Sequence, residues 1–64
     1  MVTINGKRFD YAGKRLSEYL QAAGYDCKKI AVECNGEIVS KSHYSETILQ
    51  DEDVLEVVSF VGGG

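Results

Sequence analysis

Two Asn-Gly dipeptides limit the folds open to this 64-residue chain more than any other part of its sequence. Asn5-Gly6 follows the alternating apolar residues Val2 and Ile4, and Asn35-Gly36 follows a second alternating stretch. Asn-Gly is favoured where both central residues of a tight hairpin turn take positive φ, so the dipeptide between such stretches is a strong hairpin signal. The chain is therefore predicted to form two β-hairpins.

An amphipathic helix is predicted between the hairpins. Apolar side chains recur there at the i, i+3, i+4 and i+7 spacing of one helix face, namely at Leu16, Tyr19, Leu20 and Ala23. Gly24 can take the left-handed conformation that commonly follows a helix, so the helix is expected to span residues 14–23. Gly13 is the expected N-cap, because no Ser, Thr, Asp or Asn stands directly before the helix.

The last strand, predicted at residues 54–61, is rich in β-branched side chains. Such content is typical of a strand with neighbours on both sides. Residues 40–53 before it are polar and weakly patterned, which predicts an irregular connection with the apolar anchors Tyr44, Ile48 and Leu49. The ββαββ order predicts a two-layer α+β domain, in which one main helix covers a mixed sheet and the last strand lies beside the first.

The size and charge of the chain argue against several functions. A chain this short buries only about 60% of its unfolded surface, which leaves no room for the deep cavity of a self-contained enzyme. Ten acidic against seven basic residues give a net charge of -3, so nucleic acid and membrane surfaces are not expected partners. Without a long apolar run or a disulfide framework, the chain is expected to be cytoplasmic.

Three residues, two cysteines and one histidine, could serve catalysis or metal binding, and they lie apart in the sequence. Cys27, Cys34 and His43 offer at most three zinc ligands, at spacings that match no standard pair, so no metal site is expected. A cysteine nucleophile with His43 as base needs a cleft that this chain can hardly build, and Cys34 is expected to be a small core residue. The acidic triplet at residues 51–53 lacks the ligand count of a calcium loop and is interpreted as a solvated turn.

Three consecutive glycines, Gly62, Gly63 and Gly64, follow the last strand. Residues without Cβ atoms would place the terminal carboxylate on a thin, flexible tether that reaches roughly 10 Å beyond the sheet. Such a tether can enter a narrow channel of another protein, and its unshielded carbonyl suits activation by adenylation. The alternative is a frayed terminus without function. The domain is expected to comprise residues 1–61, with residues 62–64 as the tail.

Three segments together resemble the ThiS family, the sulfur carriers of thiamine biosynthesis. They are AVECNGEIV at residues 31–39, DED at residues 51–53 and VLEVVSFVGGG at residues 54–64. The resemblance covers essentially the whole chain and implies a ubiquitin-like β-grasp fold. Where the family often has proline, tryptophan and Asp-Gly-Asp, this chain has Ser40, Tyr44 and Asp51-Glu52-Asp53.

The resemblance also implies a reaction cycle at the tail. Gly64 would be adenylated by an E1-like enzyme of the ThiF type, which uses ATP, and would then carry a thiocarboxylate. The sulfur would come from a donor such as a cysteine desulfurase and pass to thiazole synthase. The chain would thus be a protein cosubstrate with no bound cofactor, Gly63 would complete the terminal Gly-Gly, and Gly62 would extend the arm.

Partner binding needs a surface, and a single helix leaves one face of the sheet available for docking. Phe60 and Val61 are candidate residues for seating the tail at a partner's active site; the alternative is that they close the core. Three other functions stay open. They are a carrier for molybdopterin or another sulfur metabolite, a ubiquitin-like modifier of lysines, and an interaction domain whose tail is inert.

Overall fold

A computed structural model describes residues 1–60 of the chain. Within them the elements follow the order ββαβββ, with a short 3-10 helix on each side of the second hairpin. The two hairpins, the helix and the last strand are all present as predicted, but they make five strands, one more than the predicted ββαββ order counts. The strands are β1 (Val2–Ile4), β2 (Lys7–Phe9), β3 (Ile30–Cys34), β4 (Glu37–Val39) and β5 (Val54–Ser59); the helix is α1 (Leu16–Ala22), and the 3-10 helices are Cys27–Lys29 and Lys41–His43.

Both Asn-Gly dipeptides form the predicted hairpin turns. The φ angles are +51° and +80° at Asn5 and Gly6, and +52° and +86° at Asn35 and Gly36. Two positive φ angles in succession define the type I′ turn, whose twist matches that of the flanking strands. The first hairpin therefore joins β1 to β2, and the second joins β3 to β4, each in antiparallel pairing.

Strand β5 lies at the centre of the sheet, as its composition predicts. The strand order is β2-β1-β5-β3-β4. β5 runs parallel to β1, with Thr3 opposite Val54, and antiparallel to β3, with Val32 opposite Val57. The sheet is therefore mixed, and its last strand is hydrogen-bonded on both sides.

The core lies between α1 and one face of the sheet. The helix contributes the predicted Leu16, Tyr19 and Leu20, and the connection before β5 contributes Tyr44 and Leu49. Ala23, also predicted on the buried helix face, is exposed, because the helix ends at Ala22 and Ala23 is its C-cap. The sheet contributes the inward side chains of Val2, Ile4, Ile30, Val32, Leu55 and Val57. Ile48 was wrongly predicted as an anchor: its side chain is 46% exposed, because the neighbouring Leu49 enters the core instead.

The helix begins at Leu16, the first residue of its apolar face, and not at residue 14 as predicted. Its N-cap is Arg15 rather than Gly13, and the Arg15 N–H donates to the carboxylate of Glu18 at 3.0 Å. The reason is a long-range pairing: the Gly13 N–H donates to the Leu49 carbonyl at 2.7 Å, and the Leu49 N–H donates to the Lys14 carbonyl at 2.8 Å. Residues 13–15 are thereby held outside the helix. No helix in residues 1–60 is long and apolar enough to cross a membrane.

Candidate functional site

The central strand leads directly to the glycine tail, and two side-chain amides hold its backbone. The Val57 N–H donates to Asn5 Oδ1 at 2.8 Å, and Asn5 Nδ2 donates to the Val57 carbonyl at 3.2 Å. At the start of the strand, the Val54 N–H donates to Asn35 Oδ1 at 2.9 Å. Both asparagines belong to the hairpin turns, so the turns also position β5, a role that their sequence pattern does not reveal.

The acidic turn at residues 51–53 lies just before β5 and is held by hydrogen bonds and ion pairs. Asp53 accepts hydrogen bonds from Asn35 Nδ2 and from the Gln50 N–H, each at 2.9 Å. Glu52 has a φ of +68° and forms an ion pair with Arg8 at 3.1 Å. The amino group of Met1 contacts Asp51, which lowers the pKa of that carboxyl. Within residues 1–60, no three metal-ligating side chains lie together.

Phe60 lies at the exit of the strand. Its N–H donates to the Lys29 carbonyl at 2.7 Å, which continues the pairing of β5 beyond its last strand residue. Its side chain is 52% exposed, so it is accessible to a partner and does not close the core. Its binding role stays a prediction. Four more residues were assigned to the tail or to its binding to a partner, and they lie outside the described residues, as does the predicted domain boundary. They are Val61, Gly62, Gly63 and Gly64.

The face of the sheet opposite the helix carries a mixed surface that we call the open sheet face. Side chains point to it alternately from the three strands β3, β4 and β5. Its members are Ala31, Glu33, Ile38, Val54, Glu56 and Val58. Three of its apolar members, Ile38, Val54 and Val58, are exposed, and the alternation along β5 leads from them to Phe60.

An aromatic cluster packs on the other side of the sheet. Tyr19 lies 5.4 Å from both Phe9 and Tyr11, measured between ring centroids, and 6.3 Å from Tyr25. Burial, followed by the neighbouring Tyr25, raises the pKa of Tyr19. A wide polar groove of about 670 Å³, lined by Tyr11 and Lys14 among others, runs beside the cluster. The cluster therefore extends the core to the edge of the helix.

The candidate catalytic residues Cys27, Cys34 and His43 differ in their surroundings. Cys27 and Cys34 are free thiols, and Cys34 packs partly against the core as expected. Burial, followed by the carboxylate of Asp53, raises the pKa of Cys34, which keeps its thiol protonated and less reactive. The imidazole of His43 hydrogen-bonds with the hydroxyl of Ser40, through Nδ1, at 3.0 Å.

Comparisons with known proteins agree on one family. The ThiS family model matches residues 2–64. The sulfur carrier protein ThiS of Bacillus subtilis is 40% identical over 68 aligned positions that cover both chains in full. A thiazole synthase of Paramagnetospirillum magneticum is 42% identical over 98% of this chain but only 20% of its own, so the chain spans about a fifth of that curated relative.

A solved structure supports the same assignment. The crystal structure of the thiamine biosynthesis protein ThiS from Geobacter metallireducens matches with a TM-score of 0.77 and 31% sequence identity. The match covers 98% of this chain and 97% of the other. The predicted ubiquitin-like β-grasp fold, a mixed sheet covered by one main helix, is thereby confirmed.

Proposed function

The chain belongs to the ThiS family, and from this membership we propose that it is a sulfur carrier of thiamine biosynthesis that bears sulfur as a thiocarboxylate on Gly64. The observation that carries the proposal is the match to a sulfur carrier over the full length of both chains. That match covers the segment from β5 through the three glycines, to which the proposal assigns the carrier chemistry.

The chemistry proposed for Gly64 begins with its carboxylate. A carboxylate oxygen attacks the α-phosphate of ATP and releases pyrophosphate, which leaves an acyl adenylate. The outer sulfur of a persulfide on the donor then attacks the acyl carbon and displaces AMP, which leaves an acyl disulfide between Gly64 and the donor cysteine. A thiol reductant attacks the donor's sulfur in this disulfide, so that the thiocarboxylate leaves and the thiol and the donor cysteine form a new disulfide. Glycine suits the attack at the acyl carbon, because it has no side chain to shield the carbonyl. The reaction is also favoured if the residue at which the tail begins is held in a fixed position, because such positioning removes much of the entropic barrier to attack.

The described fold supports such a fixed position. β5 is paired along both edges, with β1 in parallel and with β3 in antiparallel register. The amides of Asn5 and Asn35 add hydrogen bonds at both halves of the strand. Strand β5 is thus held at its entrance by Asn35, at its middle by Asn5 and at its exit by the bond of Phe60 to Lys29.

The partners in this proposal supply the catalysis. An E1-like, ThiF-type enzyme would bind ATP and adenylate Gly64, and a protein such as a cysteine desulfurase would supply sulfur, all in the cytoplasm. Thiazole synthase would receive the sulfur. The last assignment is supported by the thiazole synthase of Paramagnetospirillum magneticum, a fifth of which aligns with this chain. The chain itself acts as a protein cosubstrate.

ATP–pyrophosphate exchange tests this function. The full chain, incubated with a ThiF-type enzyme and ATP, is expected to support exchange, whereas a chain that lacks Gly63 and Gly64 is not. Circular dichroism of the shortened chain checks that the fold is intact. If the full chain does not support exchange, the result would favour an interaction domain with an inert tail. A lysine isopeptide would favour a modifier, and transfer of sulfur to a molybdopterin precursor would favour the related carrier.

A further inference from the structure

Both hairpin turns contain the dipeptide that is most prone to spontaneous deamidation. In an Asn-Gly sequence the backbone nitrogen of glycine attacks Cγ of the asparagine side chain, because glycine has no Cβ atom to hinder the approach. Ammonia leaves with the proton of the glycine nitrogen, and a cyclic imide remains. Water then opens the imide at either carbonyl, which gives aspartate or isoaspartate. The chain offers two such sites, Asn5-Gly6 and Asn35-Gly36.

The native turn conformation opposes this reaction at both sites. Asparagine and glycine have positive φ angles in each turn, as a type I′ turn requires. The ψ angle of the asparagine in such a turn is small and positive, which directs the glycine nitrogen away from Cγ. The imide therefore forms only when the turn opens, and the rate at each site depends on how often the turn opens.

The first turn is held by the interior of the sheet. The side-chain amide of Asn5 binds both the N–H and the carbonyl of Val57, a residue that is only 7% exposed. The Asn5 N–H also donates to the Leu55 carbonyl at 3.0 Å. When this turn opens, two polar groups of a nearly buried residue lose their partner where water reaches them poorly. Opening of the first turn is therefore expected to be rare.

The second turn is held by groups that water can replace. The Asn35 side chain donates to Asp53 and accepts the Val54 N–H, each at 2.9 Å, and the Asn35 N–H donates to the Val54 carbonyl at 2.8 Å. Val54 is 51% exposed, and Asp53 belongs to the acidic turn, whose ion pairs are exposed. Exposed polar contacts contribute little to stability, because water competes for the same groups. The second turn should therefore open more often than the first.

We propose that Asn35 is a site of spontaneous deamidation in the folded chain, and that Asn5 is protected from it. The product carries a carboxylate where Asn35 Nδ2 donated to Asp53, so two negative charges then face each other just before β5. Isoaspartate also lengthens the main chain of the turn by a methylene group. The modification therefore weakens the start of the strand that leads to the glycines. It needs only water, so the proposal is independent of the carrier function.

Peptide mapping of the aged full chain tests the proposal. The folded protein is held in mildly alkaline buffer below its melting temperature, and cleavage after lysine then places Asn5 in residues 1–7 and Asn35 in residues 30–41. Each modified peptide gains mass, because NH2 is replaced by OH, and chromatography separates aspartate from isoaspartate. Deamidation of Asn35 is expected to be at least about 5-fold faster than that of Asn5, since its turn opens at lower cost. The same chain in urea is the control, because both turns are then unfolded and the two rates should agree within about 3-fold.

The variant Asn35→Asp reproduces one product and tests its effect on the fold. Its urea midpoint should be lower than that of the unsubstituted chain, and added salt should recover part of the loss, because salt screens the repulsion from Asp53. Asn35→Gly is the matched control. It keeps the positive φ of the turn and removes the same side-chain hydrogen bonds without adding a charge, so its loss of stability should depend less on salt.

Three results would overturn the proposal. Equal rates at the two sites of the folded chain would mean that the bonds to Val57 do not protect Asn5. Modification of Asn35 in urea but not in the folded chain would mean that the second turn is protected as well. If Asn35→Asp is as stable as the unsubstituted chain, the product does not weaken the start of β5. All three leave the carrier function untouched, because that function is tested at Gly64.

Discussion

The side-chain amide of Asn5 binds both backbone polar groups of Val57. Its Oδ1 accepts the Val57 N–H at 2.8 Å, and its Nδ2 donates to the Val57 carbonyl at 3.2 Å. The backbone register between β1 and β5 ends with Ile4 opposite Leu55, so the amide extends the pairing along β5. The first hairpin turn thereby helps to hold the strand that leads to Gly64.

Removing this amide is expected to destabilise the fold. Asn5→Gly keeps the positive φ of the turn but loses both hydrogen bonds to Val57, so the free energy of unfolding should fall by about 1 to 3 kcal/mol. Asn5→Asp retains the acceptor for the Val57 N–H but places a carboxylate oxygen against the Val57 carbonyl, so it should also be destabilising. Urea denaturation measures both. An unchanged midpoint for Asn5→Gly would show that the amide contributes nothing.

A left-handed glutamate in the acidic turn predicts a stabilising substitution. Glu52 has a φ of +68°, where a Cβ atom costs roughly 1 to 2 kcal/mol, and the related family often has glycine in this turn. Its ion pair with Arg8 is exposed and contributes at most about 1 kcal/mol. Because glycine also gains freedom in the unfolded chain, Glu52→Gly should raise the free energy of unfolding by a net of about 0.5 kcal/mol.

The matched control for this position is Glu52→Ala. It removes the same ion pair and keeps the Cβ atom at positive φ, so it should be less stable than Glu52→Gly in thermal unfolding. The reverse order would mean that the greater freedom of glycine in the unfolded chain outweighs the relief of backbone strain.

Two adjacent residues of β5 should respond very differently to truncation. Leu55 is fully buried against the helix, whereas Val54 is 51% exposed on the open sheet face. Leu55→Ala should therefore cost about 2 to 5 kcal/mol, enough to unfold much of a small domain, and Val54→Ala about 0.5 kcal/mol or less. Chemical denaturation of the two variants measures the difference. Similar losses at both positions would contradict the assignment of the two sheet faces.

Alkaline pH should destabilise the protein. Burial, followed by the neighbouring Tyr25, raises the pKa of Tyr19 above its ordinary value of 10.0. The unfolded chain then loses the Tyr19 proton at lower pH than the folded chain. The contribution of Tyr19 to stability is therefore fully present below pH 10.0 and falls as the pH rises from there through the folded pKa.

Tyr19→Phe isolates this contribution. Thermal unfolding between about pH 9 and 12 should show a shallower decline for the variant than for the unsubstituted chain. Tyr44 and Cys34, whose pKa values are also raised mainly by burial, contribute the remaining slope. An identical decline in both proteins would show that Tyr19 ionises equally easily when folded.

Local patterns predicted most of the fold, because the hairpins and the buried helix face depend on short-range chemistry. The Asn-Gly turns and the apolar spacing from Leu16 to Leu20 needed no information from distant residues. The start of the helix did require such information, because the pairing of Gly13 with Leu49 joins segments far apart in the chain. An N-cap rule that considers nearby residues alone could not place it at Arg15.

The candidate site likewise contains features that the sequence alone predicts and features that depend on the fold. Gly64 follows from a local motif and from family resemblance. The direct opposition of Glu33 and Glu56 in the sheet does not, because it depends on the register between β3 and β5. The amide bonds of Asn5 and Asn35 to β5 likewise require the strand order before they can be recognised.

Intact mass spectrometry of the protein isolated from its own cells tests the carrier function most directly, with fragmentation to locate any change. A mass increase equal to the difference between sulfur and oxygen, located at Gly64 and sensitive to thiol alkylation, is expected. Fragmentation is essential, because oxidation of Met1 gives nearly the same shift and Cys27 and Cys34 also alkylate. A free Gly64 carboxylate, even after incubation with ATP, the adenylating enzyme and a sulfur source, would contradict the sulfur-carrier function.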